Sequence, residues 1–220
     1  MDTAVVFLLS AEKSMKRRQR EISQMRKIVF ESAMSIDGFI EGPDGDMDWL
    51  FPAAQTCDPV AFLSGFDTIF YGRKAYEKFG CPRLVSDELS DGEREFFYAI
   101  AAMRKYVFSR TAKHVAGNGM VISKDLEREV RRIRDEAGKN IWFFGGPEIL
   151  RSFAELDLVD EYILTVHPVL LRSGKPLFPG GEKPLNLKLV RKEKLESGVV
   201  ILHYRPESRV KMRTYDRRSI

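Results

Sequence analysis

The run Asn140-Ile141-Trp142-Phe143-Phe144-Gly145-Gly146-Pro147-Glu148-Ile149-Leu150 decides the fold. Its first five residues are almost wholly apolar, as in a strand covered on both faces in the middle of a parallel sheet. Paired glycines then let the backbone turn, and Pro147 suits a first helical turn, which has no use for the N–H that proline lacks. Ile149, Leu150, Phe153 and Leu156 continue at helical spacing. A buried strand passing through glycines into an amphipathic helix is one βα unit.

The same alternation extends in both directions. Upstream, Leu126, Val130, Ile133 and Ala137 mark a helix that Gly138 stops. Residues 27–34 read as a strand, and 36–49 as a turn-rich loop carrying Asp37-Gly38 and Gly42-Pro43-Asp44-Gly45. Residues 59–64 fit a short helix with Asp58 as its N-cap. A strand over 68–71 runs into Gly72 and a helix through Phe79. Ser90 and Glu93 have capping-box spacing ahead of Phe96, Phe97 and Ile100. Strands over 105–109 and 120–122 follow. Downstream, 161–170, 187–194 and 198–203 complete the sheet, the last two as a hairpin through Glu196-Ser197-Gly198. The pattern predicts an α/β domain over residues 25–205 with a mixed, mostly parallel central sheet flanked by helices and a C-terminal β-hairpin. Residues 1–24 read as an N-terminal extension and 206–220 as a basic C-terminal tail.

A chain with 44% apolar and 31% charged residues fills an ordinary globular core. Its net charge of +4 looks suggestive until it is located. Residues 1–24 hold five cations against three acids, residues 206–220 five against two, and the middle is slightly acidic. The basicity therefore belongs to solvated ends, and no nucleic-acid or membrane partner is expected. No apolar run approaches the ~20 residues that span a bilayer. The apolar stretch near the start is preceded by Asp2 and followed by cations, the reverse of a secretory signal, so a cytoplasmic location is expected. Cys57 and Cys81 read as two reduced thiols, and no metal site is expected.

Three junctions carry candidate chemistry. At Tyr71-Gly72-Arg73-Lys74 a strand end meets a helix start beside two cations, an arrangement suited to phosphate, although taken alone it reads more readily as a glycine-bearing turn with surface cations. At Phe108-Ser109-Arg110-Thr111 two hydroxyls flank a planar cation, as a ribose 2′-phosphate requires, although a strand end with a salt bridge reads equally well. At Gly145-Gly146-Pro147-Glu148-Ile149 the missing Cβ atoms let a pyrophosphate or nicotinamide approach the backbone. Neither the Rossmann Gly-x-Gly-x-x-Gly fingerprint nor a Gly-Lys-Ser/Thr phosphate loop is present.

In order along the chain, Ala33-Met34-Ser35-Ile36-Asp37-Gly38-Phe39-Ile40, Gly72-Arg73-Lys74-x-Tyr76-Glu77, Phe108-Ser109-Arg110-Thr111, Gly145-Gly146-Pro147-Glu148 and His167-Pro168-Val169-Leu170-Leu171, with Gly174 and Pro176-Leu177-Phe178-Pro179, resemble the dihydrofolate-reductase-like superfamily. The branch they resemble is the C-terminal reductase domain of riboflavin biosynthesis, over roughly residues 25–205. That resemblance implies an NADPH-dependent reductase of 5-amino-6-(5-phosphoribosylamino)uracil or a similar heterocycle, arranged as a homodimer. It implies that Ala33 places its backbone near the nicotinamide amide. Gly72, Arg73 and Lys74 would hold phosphates, and Ser109, Arg110 and Thr111 the 2′-phosphate edge. Gly145, Gly146, Pro147, Glu148 and Ile149 would line the pyrophosphate, the glycine pair sharing a cis peptide. Ala75 stands where the family often has a phosphate-binding Thr, so weaker binding is expected. Ser35, Asp37, Trp49 and Asp58 are the substrate-side candidates, with Asp37 or a water delivering the proton. A folate or other pteridine reductase using Asp58, and a non-catalytic nucleotide-binding protein, are the alternative readings.

Overall fold

The computed structural model describes residues 25–50, 59–80, 91–181 and 183–207. Asp58, Cys57, Cys81 and Ser90 lie outside the described residues, as do residues 1–24 and the greater part of the basic tail. The strands are β1 (Ile28–Ser35), β2 (Phe39–Glu41), β3 (Phe66–Gly72), β4 (Arg104–Phe108), β5 (Gly119–Ile122), β6 (Asn140–Phe144), β7 (Glu161–His167), β8 (Lys175–Pro176), β9 (Leu187–Lys194) and β10 (Val200–Pro206). The helices are α1 (Pro59–Leu63), α2 (Arg73–Ala75), α3 (Asp91–Ala102), α4 (Leu126–Asp135) and α5 (Pro147–Glu155).

Eight strands form one sheet in the order β5-β4-β3-β6-β1-β7-β10-β9. The pairs from β5 through β7 are parallel, and β10 and β9 close the edge as the expected antiparallel hairpin. Its turn uses Gly198 at φ +86°, a conformation that glycine adopts without steric cost. The central position of β6 accounts for its apolar sequence, because helices cover both faces. On one face Phe30, Phe70, Phe108 and Phe143 pack against Val130 and Ile133 of α4 and Leu150 and Phe153 of α5. On the other, Val29, Ile69, Tyr71 and Trp142 pack against Leu63 of α1 and Ile100 of α3.

The structure corrects several local expectations. The loop over 36–49 contains β2, which pairs with β8, a strand too short to leave a sequence signal. Gly174 permits that pairing, since a Cβ there would run into the Glu41 carbonyl. β7 stops at His167 because Pro168 lacks the N–H that the ladder needs, and Val169 N–H turns back to the His167 carbonyl at 2.8 Å. The helix after Gly72 makes one α turn and then widens into a π turn over Tyr76–Gly80. Tyr76 is fixed there by donating its hydroxyl to Ala116 O at 2.6 Å and accepting from Gly119 N–H at 3.0 Å. So short an α turn carries little dipole, which removes one of the reasons for placing phosphate at Gly72.

Candidate functional site

Connections leaving neighbouring strands decide where a crevice can open. β1 and β3 feed helices on the face of Leu63 and Ile100, whereas β6 feeds α5 on the face of Leu150 and Phe153. The chain therefore diverges on both sides of β6, and ligands of open α/β sheets bind outside the carboxyl ends of strands at such a divergence. Gly72 pairs in register with Phe108, and Tyr71 with Phe144. Gly72, Ser109 and Gly145 thus gather at the mouth, where three adjacent strands spaced about 5 Å apart end.

The two glycines of the β6 junction have different reasons to be glycine. A Cβ on Gly145 would lie 2.7 Å from Ile149 Cγ2 and would also strike the Phe143 ring. A Cβ on Gly72 would lie 3.1 Å from the same Ile149 methyl and 3.8 Å from Gly146 N. Ile149 is therefore the floor on which the turns from β3 and β6 rest. Gly146 has room for a side chain: a Cβ there would meet nothing nearer than Lys175 Nζ, at 4.0 Å. It is also the N-cap of α5, with no side chain capping the helix. Leu150 N–H makes the first intrahelical bond, to Gly146 O at 3.1 Å, so the N–H groups of Glu148 and Ile149 remain open toward an anion. Pro147 is buried beneath them. No cis peptide occurs among the described residues, against the expectation for Gly145-Gly146. The bend is made by Gly146 in an extended conformation, φ −75° and ψ 175°, the region preferred before proline.

Cations surround this mouth unevenly. Arg73 spends its guanidinium on Glu77, with both carboxylate oxygens at 2.9 Å, while Lys74 is exposed. Lys175, which the sequence reading missed, arrives beside Gly146 only through the β2–β8 pairing and lies 3.5 Å from Glu41 Oε2. At the end of β4 the Ser109 hydroxyl oxygen accepts from Thr111 N–H at 3.3 Å and Ala112 N–H at 3.0 Å. That turn leaves Arg110 and Thr111 exposed.

The ends of β1 and β7 gather the substrate-side candidates. Ala33 pairs with Thr165 and Ser35 with His167. Buried Ser35 donates its hydroxyl to Asp37 Oδ1 at 2.6 Å and accepts from Phe39 N–H at 2.9 Å. Asp37 also accepts from Leu171 N–H at 3.2 Å and Arg172 N–H at 2.7 Å. Arg172 is left-handed at φ +64°, so the carboxylate fastens a turn that a non-glycine residue resists. The Ser35 hydroxyl first, and the two backbone donors after it, hold the Asp37 carboxyl below its ordinary range. An ionised acceptor has no proton to give at neutral pH, which argues against Asp37 as the proton donor. Trp49 meets His167 edge to face at 5.2 Å, and burial pushes that imidazole down, toward its neutral form.

One further group was missed. Glu31 lies two residues inside Ala33, on the same strand face. Burial pushes its carboxyl up to about 7, a rise that the Trp142 indole N–H partly offsets. Trp142 Nε1 is buried and makes no hydrogen bond of ordinary geometry, so its influence on Glu31 is that of a nearby dipole. A lone acid in the strand Ile-Val-Phe-Glu-Ser-Ala-Met-Ser was the available signal. Among the described residues no three His, Cys, Asp or Glu side chains are grouped to hold a metal ion. Nor, among them, is any helix long and apolar enough to cross a membrane.

Comparison with known proteins agrees with this architecture. The family model for the RibD C-terminal domain matches residues 26–201. The Bacillus subtilis (strain 168) proteins YyaP and YwjB, both described as uncharacterized, are 37% and 31% identical. They match over 82% and 81% of this chain and 95% and 97% of their own. Among solved structures, a candidate riboflavin biosynthesis protein from Shewanella sp. PV-4 superposes with a TM-score of 0.65 at 21% identity, over 82% of this chain and 99% of that one. An Enterococcus faecalis dihydrofolate reductase complexed with NADP(H) gives 0.54 at 16% identity, over 83% and 99%. The Thermotoga maritima deaminase and 5-amino-6-(5-phosphoribosylamino)uracil reductase gives 0.59 at 16%, over 84% of this chain and 58% of that one. At these identities the structures establish the dihydrofolate-reductase-like fold.

Proposed function

Because the chain belongs to the RibD C-terminal domain family, we propose that it is an NADPH-dependent reductase of the riboflavin-biosynthesis type. Its substrate is a small nitrogen heterocycle with an imine-like carbon, of the class that includes 5-amino-6-(5-phosphoribosylamino)uracil. One observation carries this reading: Gly72, Ser109 and Gly145 gather at the ends of three adjacent strands, beside an uncapped helix start.

The residues present fit a phosphorylated dinucleotide. Gly146 leaves the space of a missing side chain at the α5 N-terminus, and Lys175 supplies positive charge there without crowding it. The pyrophosphate would lie against Gly72, Gly145, Gly146 and the N–H groups of Glu148 and Ile149. Arg73 and Lys74 flank it. Ser109, Arg110 and Thr111 would hold the 2′-phosphate, where a planar guanidinium makes paired hydrogen bonds that an ammonium cannot. Ala33, whose small side chain leaves the strand backbone accessible, faces the nicotinamide end. NADPH, when bound, supplies the hydride, and the protein supplies orientation and exclusion of water. Ser35 and Asp37 tie down the turn at Leu171 and Arg172 over the substrate side, with Trp49 as a wall. The catalytic unit spans residues 25–205, acts in the cytoplasm and pairs as a homodimer.

Titration of the protein with NADPH and NADH, followed by calorimetry, tests the reading. Arg110→Ala weakens NADPH roughly 10–100-fold, the range of charge-assisted hydrogen bonds, and leaves NADH within about twofold. Equal losses for the two nucleotides would remove the 2′-phosphate assignment. Absence of heat with either nucleotide would remove the reductase reading.

A further inference from the structure

Along β1 the side chains of Ile28, Val29 and Phe30 are sealed, whereas Glu31, Ser32, Ala33 and Met34 are half-buried. The strand therefore passes from closed core to open mouth at Glu31. Its surroundings on that face are apolar. Ile163, its register partner on β7, is buried, and Trp142 is buried on the β6 side. Phe62, Trp142, Phe144 and Phe79 continue the wall, with ring centroids 5.9, 5.0 and 5.5 Å apart in that sequence. Among the described residues no cation offsets the Glu31 charge. His203 on β10, farther along the face, is pushed toward its neutral form by burial first and by Arg191 after it, and so supplies no cation to Glu31. An apolar wall has no structural use for an unpaired carboxyl, and a strand former such as Val or Ile would seal the position better.

We propose that Glu31 is the substrate-side acid: its carboxyl meets the ring nitrogens of a flat nitrogen heterocycle lying on the Trp142–Phe144 wall and delivers the proton that accompanies reduction. The proposal rests on the reductase reading above and adds to it the substrate edge, a ring nitrogen next to an N–H or amino group. In the step, the carbon of the C=N bond gains a C–H bond with the electron pair given up by the reduced nicotinamide. The C=N π pair moves to nitrogen, and that nitrogen takes the Glu31 proton. The imine is reduced to an amine, the nicotinamide is oxidised, and the carboxylate recovers a proton from solvent. A carboxyl that titrates about neutrality is suited to donate and be reprotonated in each cycle. The Trp142 N–H, without a partner of ordinary geometry, is placed to steady the carboxylate once the proton has left.

The test uses the full chain, wild type and Glu31→Gln, titrated calorimetrically with 2,4-diaminopyrimidine between pH 5 and 9, with and without NADPH. Wild type binds the pyrimidine with a pH-dependent affinity and a linked proton change near neutrality. Glu31→Gln binds NADPH as the wild type does, loses roughly 10–100-fold in pyrimidine affinity and loses the proton linkage. Infrared difference spectra on binding show a carboxylic-acid C=O band lost in wild type and absent from the variant. Equal pyrimidine affinity in both proteins, or no binding to either while NADPH binds, overturns the Glu31 assignment and leaves the reductase reading standing. Failure of NADPH to bind the wild type overturns the reductase reading, and the titrations run without nucleotide register that separately.

Discussion

Replacing Glu31 with Gln makes the protein more stable at alkaline pH. The reason lies in linkage between protonation and folding. In the folded chain burial raises the Glu31 carboxyl from 4.5 to about 7. Its folded value lies above its unfolded one, so its favourable contribution is complete below about 4.5 and disappears as pH rises through about 7. Above that point the folded state holds a desolvated charge that the unfolded state hydrates freely. A shift of this size corresponds to about 3 kcal/mol. Gln has the same shape and no charge, so at pH 5 the two proteins unfold within about 0.5 kcal/mol of each other. At pH 8.5 Glu31→Gln is the more stable by about 3 kcal/mol, or roughly 6–12 °C in Tm for a chain of this length. Urea unfolding at half-unit intervals of pH measures the difference directly, with the Trp142 indole beside the substitution as reporter. Parallel pH curves for the two proteins, with no divergence between pH 5 and 8, would refute the claim that this carboxyl is desolvated.

Other substitutions separate the roles of neighbouring groups. Gly146→Ala places a methyl in open space, so its unfolding midpoint stays within about 0.5 kcal/mol of wild type while NADPH affinity falls at least tenfold; unchanged affinity would move the pyrophosphate elsewhere. Gly145→Ala forces a methyl against the Phe143 ring and Ile149, and destabilises by about 1–3 kcal/mol in the same unfolding assay. Lys175→Ala weakens NADPH and shallows its salt dependence, measured by titration at several ionic strengths; an unaltered slope would detach Lys175 from the phosphates. Asp37→Ala frees the turn at Leu171 and Arg172, so amide exchange there accelerates and substrate KM rises, with NADPH affinity unchanged.

How far the sequence could be read depended on whether the deciding interactions were local. The β6 run announced its place because burial on both faces leaves no polar alternation, and the Gly-Gly-Pro turn is encoded in three consecutive residues. Order along the sheet was not legible, since no single strand states which neighbour it will choose. β2 and β8 were missed because their pairing joins residues far apart in sequence and spans only two to three residues a side. Lys175 was missed for the same reason: nothing in Gly174-Lys175-Pro176 says that the ammonium will lie beside Gly146. The π turn at Tyr76 was illegible because its cause, the bonds to Ala116 and Gly119, is tertiary.

The acids at the substrate end show the same division, and it governs the chemistry. Asp37 was singled out by family resemblance, but it belongs to an Asp-Gly turn where three donors reach its carboxylate and keep it ionised. Glu31 belongs to no motif, and its surroundings of Ile163 and Trp142 remove the water that would ionise it. Two carboxyls on one strand and the turn that follows it are thus driven in opposite directions, one toward a fixed anchor and the other toward a transferable proton. Environments that push a pair of acids so far from each other assign their roles. If hydride transfer requires Glu31 protonated, the rate of the reductive step falls as pH rises through about 7 in wild type. Asp37→Asn leaves that midpoint in place, because the turn is not the proton source. Single-turnover rates at saturating NADPH across pH 5–9 measure it, and a midpoint that moves with Asp37 while ignoring Glu31→Gln would reverse the two assignments.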